Sequence, residues 1–406
     1  MKNKKVIIIG GGIAGCVLAL ALDKIGMKSE IFEARKIPED NVGLYHYLSS
    51  NAMNVYKVLG LYDKLKDSGY VCNGVIHYNE KGKRIASIDE SNSLKDYGAN
   101  SIMIKREFLT RILREEVISK QIPMNLGKKL DDIKNMGNSN VVAHFEDGTS
   151  IEGNLLVGCD GIYSKTRSII LPNSPKPNYT KVVITAGYAK TKIIDKELNI
   201  IHSHYGKKAF LAYFVLPNSK DVWWWNGIFY PKQETRENIE KLSNKEWQQA
   251  MIEMYADDTP VIQDIIKSNE LNFLKYPISD MLPLDTWHKG NVCLIGDAVH
   301  ATSPSNGQGA AMASEDALML AKCLRDIDQT EQAFEKFQQL RQKRVEKIVK
   351  IGRSAGEGYL MTNSVKKWFR NTMIAIMLNS PLFSRMKNFF FGYDVKWDEK
   401  IEGSGM

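Results

Sequence analysis

Three glycines near the start of the chain have the spacing of a phosphate-binding turn. Gly10, Gly12 and Gly15 fit the pattern G-x-G-x-x-G. In that pattern the first glycine allows a tight turn, the second lets the backbone approach a pyrophosphate, and the third lets a helix pack closely on a strand. Glu33 lies eighteen residues beyond Gly15, where an acid can accept hydrogen bonds from ribose hydroxyls. These residues predict binding of an adenine dinucleotide and leave the choice between NAD and FAD open.

Two aspartates later in the chain also follow apolar runs and adjoin a glycine. Asp160 stands in Cys159-Asp160-Gly161, and Asp297 follows Gly296. Carboxylates in such positions could accept hydrogen bonds from the hydroxyl groups of a ligand. Aspartates after strands also cap helices and close turns, and the sequence alone leaves both interpretations open. For His300, three residues after Asp297, we expect a structural role.

The elements that must position these residues are predicted from apolar patterning. Residues 6–9 are four β-branched residues, as in a strand buried in a parallel sheet. Residues 16–22 are small and apolar, which predicts a helix with its N-terminus towards phosphate. Residues 29–33, 154–158 and 291–295 predict further strands. Alternation in short runs over residues 71–104 predicts short strands, and alternation over residues 180–230 predicts an antiparallel sheet inserted between two halves of the nucleotide-binding region.

Length and composition favour a globular protein of two interlocked domains. The chain has 406 residues, a net charge of +8 and five cysteines without a C-x-x-C pair. Lysines are not interleaved with aromatic residues, so nucleic-acid binding is not expected. The apolar start is too short for a signal peptide, and no apolar stretch reaches membrane-spanning length. We therefore expect a cytoplasmic protein, without stable membrane insertion, that is a monomer or homodimer.

The order and separation of these motifs resemble one enzyme family. Gly10 to Gly15 with Glu33, then Asp160, then Gly296 to Ala310 with Pro304, are similar to the single-component FAD-dependent aromatic hydroxylases. That family includes para-hydroxybenzoate and salicylate hydroxylases and the tetracycline-inactivating monooxygenases. The resemblance spans roughly residues 5–350 and implies FAD as cofactor, NADPH or NADH as co-substrate, and O2. It implies hydroxylation of an apolar, aromatic or polycyclic molecule through a flavin C4a-hydroperoxide.

The resemblance also implies a fold and a division of the chain. The expected fold class is α/β, with a Rossmann-type FAD-binding domain of the glutathione-reductase kind, an inserted and mostly antiparallel substrate sheet, and a C-terminal helix. The FAD-binding domain would comprise residues 1–70, 101–179 and 277–350. The substrate domain would comprise residues 71–100 and 180–276. Residues 351–406 would form a helical tail that packs across the domains, lies on a membrane surface or forms a dimer.

Candidate cofactor-binding residues follow from the glycine motif and from the resemblance. Arg106 matches an arginine that the family places beside FAD, and the loop before residue 310 matches the one that holds the flavin's pyrimidine edge. Arg106 could instead be a solvated helix residue. The predicted set is Gly10, Gly12, Ile13, Ala14, Gly15, Glu33, Ala34, Arg35, Arg106, Asp160, Gly296, Asp297, Pro304, Gly307, Gly309 and Ala310. No metal site and no catalytic base are predicted.

Candidate substrate residues come from one departure from the family pattern and from the inserted sheet. Where relatives have Gly-x-Gly, this chain has Gly43-Leu44-Tyr45-His46, so Tyr45 or His46 could touch flavin or substrate, or simply pack. His204, Tyr213 and Trp223 could line the substrate site. Aromatic residues on such a sheet are more often core, and alternation allows only every second residue to face one side.

Three other functions remain open at this stage. Flavin-dependent halogenases share much of the expected fold, but residues 223–228 do not fit the Trp-x-Trp-x-Ile-Pro signature. An isoprenoid-reductase-like oxidoreductase would need no oxygen. A protein that binds FAD and a ligand without turnover would consume no NAD(P)H.

Overall fold

The computed structural model describes residues 4–37, 45–137, 140–190, 197–217, 221–232, 236–269, 273–359, 364–378 and 380–401. The strands are β1 (Lys5–Ile9), β2 (Lys28–Glu33), β3 (Tyr45–Leu48), β4 (Tyr70–Val71), β5 (Gly74–Asn79), β6 (Arg84–Asp89), β7 (Ile102–Lys105), β8 (Met124–Leu126), β9 (Leu130–Lys134), β10 (Val141–Phe145), β11 (Ser150–Gly153), β12 (Leu155–Gly158), β13 (Asn178–Lys190), β14 (Ile201–Tyr205), β15 (Ala209–Val215), β16 (Asp221–Phe229), β17 (Leu274–Asp280), β18 (His288–Lys289) and β19 (Val292–Leu294).

Helices connect and cover these strands. They are α1 (Ile13–Lys24), α2 (Ser50–Val58), α3 (Tyr62–Asp67), α4 (Ser93–Tyr97), α5 (Arg106–Ser119), α6 (Lys165–Ile170), α7 (Arg236–Lys241), α8 (Asn244–Met254), α9 (Pro260–Lys267), α10 (Asp297–His300), α11 (Gly309–Asp326), α12 (Thr330–Tyr359), α13 (Ser364–Leu378) and α14 (Pro381–Phe391). Helix α12 continues through residue 350, where the sequence places the start of the tail.

A six-stranded sheet forms the first half of the molecule, in the order β18-β19-β12-β1-β2-β8. All neighbours in it are parallel except β18 and β19. The four apolar residues of β1 after Lys5 are buried, as expected for a strand that is covered on both faces. Helix α1 packs against α11 and α5. The sheet therefore brings together the chain segments that carry the three glycines, Asp160 and Asp297.

A seven-stranded sheet forms the second half, in the order β17-β13-β16-β15-β14-β5-β6. Its pairs are antiparallel except β14 with β5. One face is covered by α7, α8 and α9, through a buried cluster that includes Leu211, Trp224 and Met251. The opposite face is the one that matters for function, because it faces the first sheet across a cavity.

Residues beyond α12 pack back onto both halves. Helix α13 contacts β6, and α14 contacts α2. Val395 and Trp397 are buried, and Lys322 of α11 donates to the carbonyl of Val395 at 2.9 Å. Within the described residues, no helix combines the length and the apolar character needed to cross a membrane.

Candidate functional site

A cavity of about 830 Å³ separates the two sheets. Its walls come from the glycine turn after β1, the start of α11, all seven strands of the second sheet, and α13 and α14. Its size lies within the range of about 300–1,000 Å³ that is usual for cofactor and small-molecule sites. The described residues show no group of three or more acidic, histidine or cysteine side chains that could hold a metal ion.

The glycine turn leaves one end of this cavity lined by backbone. Gly10 has φ +104°, and a Cβ there would lie 2.5 Å from the carbonyl oxygen of Cys159. A Cβ on Gly15 would lie 2.0 Å from the carbonyl oxygen of Gly10, so this glycine allows α1 to approach the turn. Gly12, Ile13 and Ala14 line the cavity, and no side chain caps the start of α1. The amide groups of the first helical turn can therefore bind an anion.

Glu33 closes the same end of the cavity from the neighbouring strand. Its Oε2 accepts a hydrogen bond from the Gly11 amide at 2.7 Å, and its Oε1 accepts one from the Arg35 amide at 3.0 Å. Both Glu33 and Arg35 line the cavity, and Ala34 lies between them in the chain. A carboxylate can accept about four hydrogen bonds, so Glu33 retains capacity for a ligand hydroxyl.

The start of α11 forms a second backbone-lined wall. A 3₁₀ turn (Pro304–Asn306) leads into Gly307, which has φ +64°. Pro304, Gly307, Gly309 and Ala310 line the cavity, and no side chain caps the start of α11. Because α11 is eighteen residues long, its N-terminus carries a partial positive charge that favours negative charge on a ligand.

Asp297 and Arg106 face the cavity between these two walls. Each is the first residue of its helix, and both side chains are exposed to the cavity. Protein atoms around the Asp297 carboxylate reduce its hydration, which raises its pKa, whereas the nearby His300 and Arg106 act to lower it. The pair thus combines an acceptor for ligand hydroxyls with a cation.

A buried ionic network behind this wall was not predicted from the sequence. Asp316 accepts hydrogen bonds from the Gly296 amide at 3.0 Å, from Arg341 Nε at 2.7 Å and from His300 Nε2. Burial alone would raise the pKa of Asp316, but His300 and Arg341 hold it at about 2. The network fixes Gly296, and with it the backbone from which Asp297 projects.

The neighbouring acid extends the network to the loop before α11. Glu315 contacts Arg344 at 2.9 Å and accepts from Asn51 Nδ2 at 2.6 Å. Asn51 also donates to Gln308 at 3.0 Å, and Gln308 donates to Ser49 at 3.0 Å. The signal in the sequence was the pair of acids at 315 and 316 inside an otherwise small and apolar helix, because buried carboxylates require partners.

Asp160 lies outside the cavity lining. Its carboxylate accepts hydrogen bonds from the Ser164 hydroxyl at 2.6 Å, the Thr166 amide at 2.9 Å and the Thr166 hydroxyl at 2.9 Å. It organises the turn before α6, which agrees with the capping interpretation. Gly10, Gly15 and Gly296 also support the site from behind, whereas Gly161 lines it.

The second sheet presents alternate residues to the cavity. Ile201, Ser203 and Tyr205 of β14 line it, as do Phe210, Trp225 and Tyr276 on other strands. The ladder aligns Ser203 with His77 on one side and with Ala212 on the other, and Ala212 with Trp225. The result is an apolar, aromatic surface with small residues between the large ones.

Two of the substrate residues suggested by the sequence lie on the wrong face of this sheet. His204 and Tyr213 belong to the opposite face, where their rings stack on each other and His204 stacks on Tyr78 at 4.6 Å. The period-two alternation of strands turns them away from the cavity when Ser203 faces it. We therefore correct the substrate set by removing both residues.

The other three suggested residues lie on the cavity side. Tyr45 and His46 of β3 line the cavity, whereas Trp223 packs behind Tyr45 with ring centroids 4.9 Å apart. Gly43 and Leu44, which complete the departure from the family pattern, lie outside the described residues.

Three polar atoms at this surface have no hydrogen-bond partner within the described structure. They are Tyr45 Oη, His46 Nε2 and His77 Nδ1. Burial, with a smaller effect of Arg106, lowers the pKa of His46 to about 3, and burial lowers that of His77 to about 4. Both imidazoles are therefore neutral near pH 7 and can donate or accept a hydrogen bond.

A carboxylate that the sequence analysis missed also lines the cavity. Glu90, which follows β6, accepts hydrogen bonds from Tyr47 Oη at 2.7 and 2.6 Å and from Ser101 Oγ at 2.6 Å. Burial raises its pKa, although Ser101 and Tyr47 act against that shift. An isolated acid after a strand gave no sequence signal that distinguished it from a turn residue.

Comparison with known proteins places these features in context. A family model described as "FAD binding domain" matches residues 3–351. The aurachin C monooxygenase/isomerase of Stigmatella aurantiaca is 27% identical over 94% of this chain and 96% of its own length. The 6-hydroxynicotinate 3-monooxygenase of Pseudomonas fluorescens is 26% identical over 90% of this chain and 94% of its own. HpxO of Klebsiella pneumoniae, solved with FAD and uric acid, has a TM-score of 0.83 at 20% identity, covering 96% of this chain and 97% of that one, and so shares the fold.

Proposed function

The chain belongs to the FAD-binding-domain family, and from that premise we propose that it hydroxylates an apolar, aromatic or polycyclic small molecule held beneath the seven-stranded sheet. The protein is an FAD-dependent monooxygenase, and use of NAD(P)H and O2 is typical of its family. The predicted family, fold class and cofactor are confirmed. The observation that carries the substrate proposal is the single cavity that joins two helix N-termini to an aromatic sheet face.

The residues at the cavity suit FAD. A Cβ at Gly12 would meet no atom within 4 Å, so the backbone at the start of α1 is open to a diphosphate. Glu33 retains capacity for ribose hydroxyls, and Asp297 faces the space between the two walls. The start of α11 can stabilise negative charge on a flavin ring. When bound, reduced FAD supplies the activation of O2 and the transfer of one oxygen atom.

The protein's own residues bind, orient and exclude water. Arg106 and Asp297 would bind the middle of the cofactor, and the buried network at Asp316 keeps Gly296 in place beside them. Asp160 supports the turn after β12 without lining the cavity. We keep as proposed direct cofactor contacts the cavity-lining residues Gly12, Ile13, Ala14, Glu33, Arg35, Arg106, Asp297, Pro304, Gly307, Gly309 and Ala310. Gly10, Gly15 and Gly296 are proposed to shape the backbone for them.

The substrate would lie between the second sheet and the start of α11, where Pro304, Gly307, Gly309 and Ala310 form the wall proposed to hold the flavin (the flavin wall). Tyr45 and His46 are proposed to contact it, and Trp223 is proposed to position Tyr45 by stacking. The sheet face contributes Phe210, Trp225 and other apolar surface that excludes water. Neutral His46 could hydrogen-bond a polar substituent without adding charge.

We also propose a domain division, an oligomeric state and a cellular compartment for this protein. We propose the domain division 1–70, 101–179 and 277–350 against 71–100 and 180–276. The membership of the two large sheets supports it except at two boundaries, because β13 (Asn178–Lys190) and β17 (Leu274–Asp280) of the second sheet each cross one of them. A monomer or homodimer is proposed. A reducing, cytoplasmic compartment is proposed because all five cysteines are buried and free.

Substrate-stimulated consumption of NAD(P)H tests the proposed function. The purified yellow protein is screened with phenols and polyketides, with NADH and NADPH, in air and under nitrogen. We expect stimulated oxidation in air and a product heavier by one oxygen atom by mass spectrometry. Conversion that proceeds equally under nitrogen would identify a reductase and overturn the proposal.

A pair of histidine variants tests the location of the substrate. His46→Ala removes a ring that lines the cavity, and His204→Phe changes a ring on the opposite face of the same sheet. We expect a changed flavin spectrum or reduced turnover only for His46→Ala. Unchanged flavin spectrum and turnover in His46→Ala would contradict its placement at the site.

A further inference from the structure

Glu90 is the most deeply buried acid that lines the described part of the cavity. Its side chain is 3% exposed, and it lies at the end of the edge strand β6. Ile88 of the same strand also lines the cavity, next to Val75 and Ile201 of the neighbouring strands. A carboxylate in such apolar surroundings is costly unless donors or a cation satisfy it.

The donors that the described structure supplies give each Glu90 oxygen a partner but leave the carboxylate with unused acceptor capacity. Tyr47 and Ser101 have one hydroxyl proton each, whereas a carboxylate can accept about four hydrogen bonds. No cation forms an ion pair with Glu90 among the described residues. Lys387 is near enough to lower its pKa, but Lys387 Nζ donates instead to the carbonyl of Asp89 at 2.5 Å.

Lys387 lines the cavity beside Glu90, with its Nζ on the Asp89 carbonyl, whereas the cationic arginines of the described lining lie elsewhere. Arg35, Arg106 and Arg114 also line it, but they follow β2 or belong to α5, on the side of the first sheet. Apart from Lys387, the lining that α14 contributes near Glu90 is apolar and aromatic, with Met386, Phe390 and Phe391. Aromatic faces favour cations as well as apolar rings.

Tyr47 connects Glu90 to the loop that precedes α11. A Cβ on Gly307 would lie 3.1 Å from Cδ1 of Tyr47, so the Tyr47 ring packs directly on this glycine. The Tyr47 hydroxyl donates to Glu90 from the other end of the ring. A ligand group held by Glu90 would therefore sit beside the wall assigned to the flavin.

We propose that Glu90, held by Tyr47 and Ser101, is the specificity-determining acceptor of the substrate site, and that the substrate carries a hydroxyl, an N–H group or a protonated nitrogen in place of a carboxylate. This rests on the proposed function and narrows its substrate class. The substrate supplies a further hydrogen bond, or the ion pair that Glu90 does not form with the described residues. An aromatic carboxylate would place a second negative charge in the same apolar corner.

Equilibrium binding to the FAD-loaded enzyme tests this inference without NAD(P)H. The probes are 2-naphthol, 2-naphthylmethylamine and 2-naphthoate, which share one ring system, and binding is followed by flavin absorbance and calorimetry. We expect wild type to bind the naphthol and the amine at least about tenfold more tightly than naphthoate, as one charge-assisted hydrogen bond provides. Glu90→Gln should weaken binding of the amine about tenfold and reduce the difference in affinity between the amine and naphthoate.

Asp89→Asn is the matched control. It makes the same change of charge one residue away on an exposed side chain, and it should leave all three affinities unchanged. The flavin spectrum and circular dichroism of Glu90→Gln should match wild type, because the amide keeps the shape and can still accept from Tyr47.

Two results would overturn the inference. Equal effects of Glu90→Gln and Asp89→Asn would show only a general charge effect. Naphthoate as the tightest ligand, with its binding lost in Lys387→Ala, would make Lys387 the anchor. Neither result touches the monooxygenase proposal, which is tested by oxygen incorporation, and a failure of turnover would leave these binding affinities unaffected.

Discussion

Arg341 is a fully buried cation between two fully buried acids. Its Nη2 lies 2.7 Å from Glu315 Oε2, and its Nε lies 2.7 Å from Asp316 Oδ1. Asp316 in turn fixes Gly296, and Glu315 reaches Gln308 through Asn51. One guanidinium thus holds together both loops that form the proposed flavin wall.

Arg341→Met should therefore be strongly destabilising. It leaves two buried carboxylates short of a cation, so we expect the free energy of unfolding to fall by about 3–5 kcal/mol. Urea unfolding followed by circular dichroism measures this. Lys129→Met is the control, because its pair with Glu146 is exposed on both sides and should contribute less than about 1 kcal/mol. Similar losses in the two variants would contradict the role assigned to the network.

His204 makes stability depend on pH. Neither ring nitrogen has a hydrogen-bond partner among the described residues, and burial, followed by the nearby His202, lowers its pKa from 6.5 to about 3. Between those values the unfolded chain binds a proton that the folded chain does not. The contribution of His204 to stability is therefore present above pH 6.5 and declines by about 1.4 kcal/mol for each pH unit as the pH falls towards 3.

His204→Phe should remove that dependence while keeping a ring between Tyr78 and Tyr213. Urea unfolding of wild type and variant at several pH values from about 8 to about 5 gives the slopes. We expect the free energy of unfolding to decline less steeply below pH 6.5 in the variant than in wild type. At pH 8, where the histidine is neutral in both states, the difference in unfolding free energy between the two proteins reports packing alone. Parallel curves would show that His204 is protonated in the folded chain.

Residues that set the local backbone conformation were easier to predict from the sequence than residues whose side chains must face the cavity. The spacing of Gly10, Gly12 and Gly15 encodes a local geometry, so it could be recognised without the rest of the chain. The face to which His204 and Tyr213 belong depends on which residues of β14 and β15 meet the cavity, and a shift of one residue reverses every assignment. Glu90 and Arg341 were missed because their partners lie far away in sequence.

Two glycines of the turn before α1 differ in what a side chain would meet. At Gly10 an added Cβ collides with the carbonyl of Cys159, in a backbone with φ +104°. At Gly12, with φ −78°, it meets nothing within 4 Å. The first glycine is thus required by the protein itself, whereas the second is open to whatever binds there.

Gly12→Ala should separate folding from cofactor binding. We expect the FAD-free variant to have the same melting temperature as FAD-free wild type. Its affinity for FAD should fall by about tenfold or more, because the methyl group occupies the approach to the α1 amides. Gly10→Ala should fail to give stable protein. Thermal melting and flavin fluorescence titration measure both effects. Wild-type FAD affinity in Gly12→Ala would mean that the diphosphate does not contact this turn.

At the level of elements, β1, β12 and β19 were predictable because each is short and apolar and has a glycine or an aspartate within two residues of its end. Their adjacency was expected only through the family resemblance, since local sequence does not state which strands pair. The parallel pairing of β5 with β14, which joins two separated segments into one sheet, had no signal in either strand.

The whole molecule is tied together by the segment that follows α14. Trp397 is 8% exposed and lies under the Arg325 guanidinium at 4.9 Å, while Arg325 Nη1 donates to its carbonyl at 2.7 Å. The Ile401 amide donates to Asp326 at 2.9 Å. These contacts hold the C-terminal end of α11, the helix whose other end lines the cavity.

Trp397→Ala should consequently destabilise the protein by about 3–5 kcal/mol, the usual cost of removing a large buried aromatic side chain. Trp368→Ala on α13 is the control, because its ring is 68% exposed and its loss should change stability by no more than about 0.5 kcal/mol. Chemical denaturation of both variants provides the comparison. Equal stability of the two would show that residues 395–401 do not support α11.

The order of strands in the central sheet also has a consequence for synthesis. Strand β1 pairs with β12, which pairs with β19, so neighbours in space are made far apart in time. At about 5–20 residues per second, roughly 15–60 s separate translation of residues 5 and 292. Because residues 395–401 hold α11 and are made later still, the second wall of the cavity is completed only after translation of this region. We therefore expect FAD to gain its full set of contacts only after residues 395–401 have been translated.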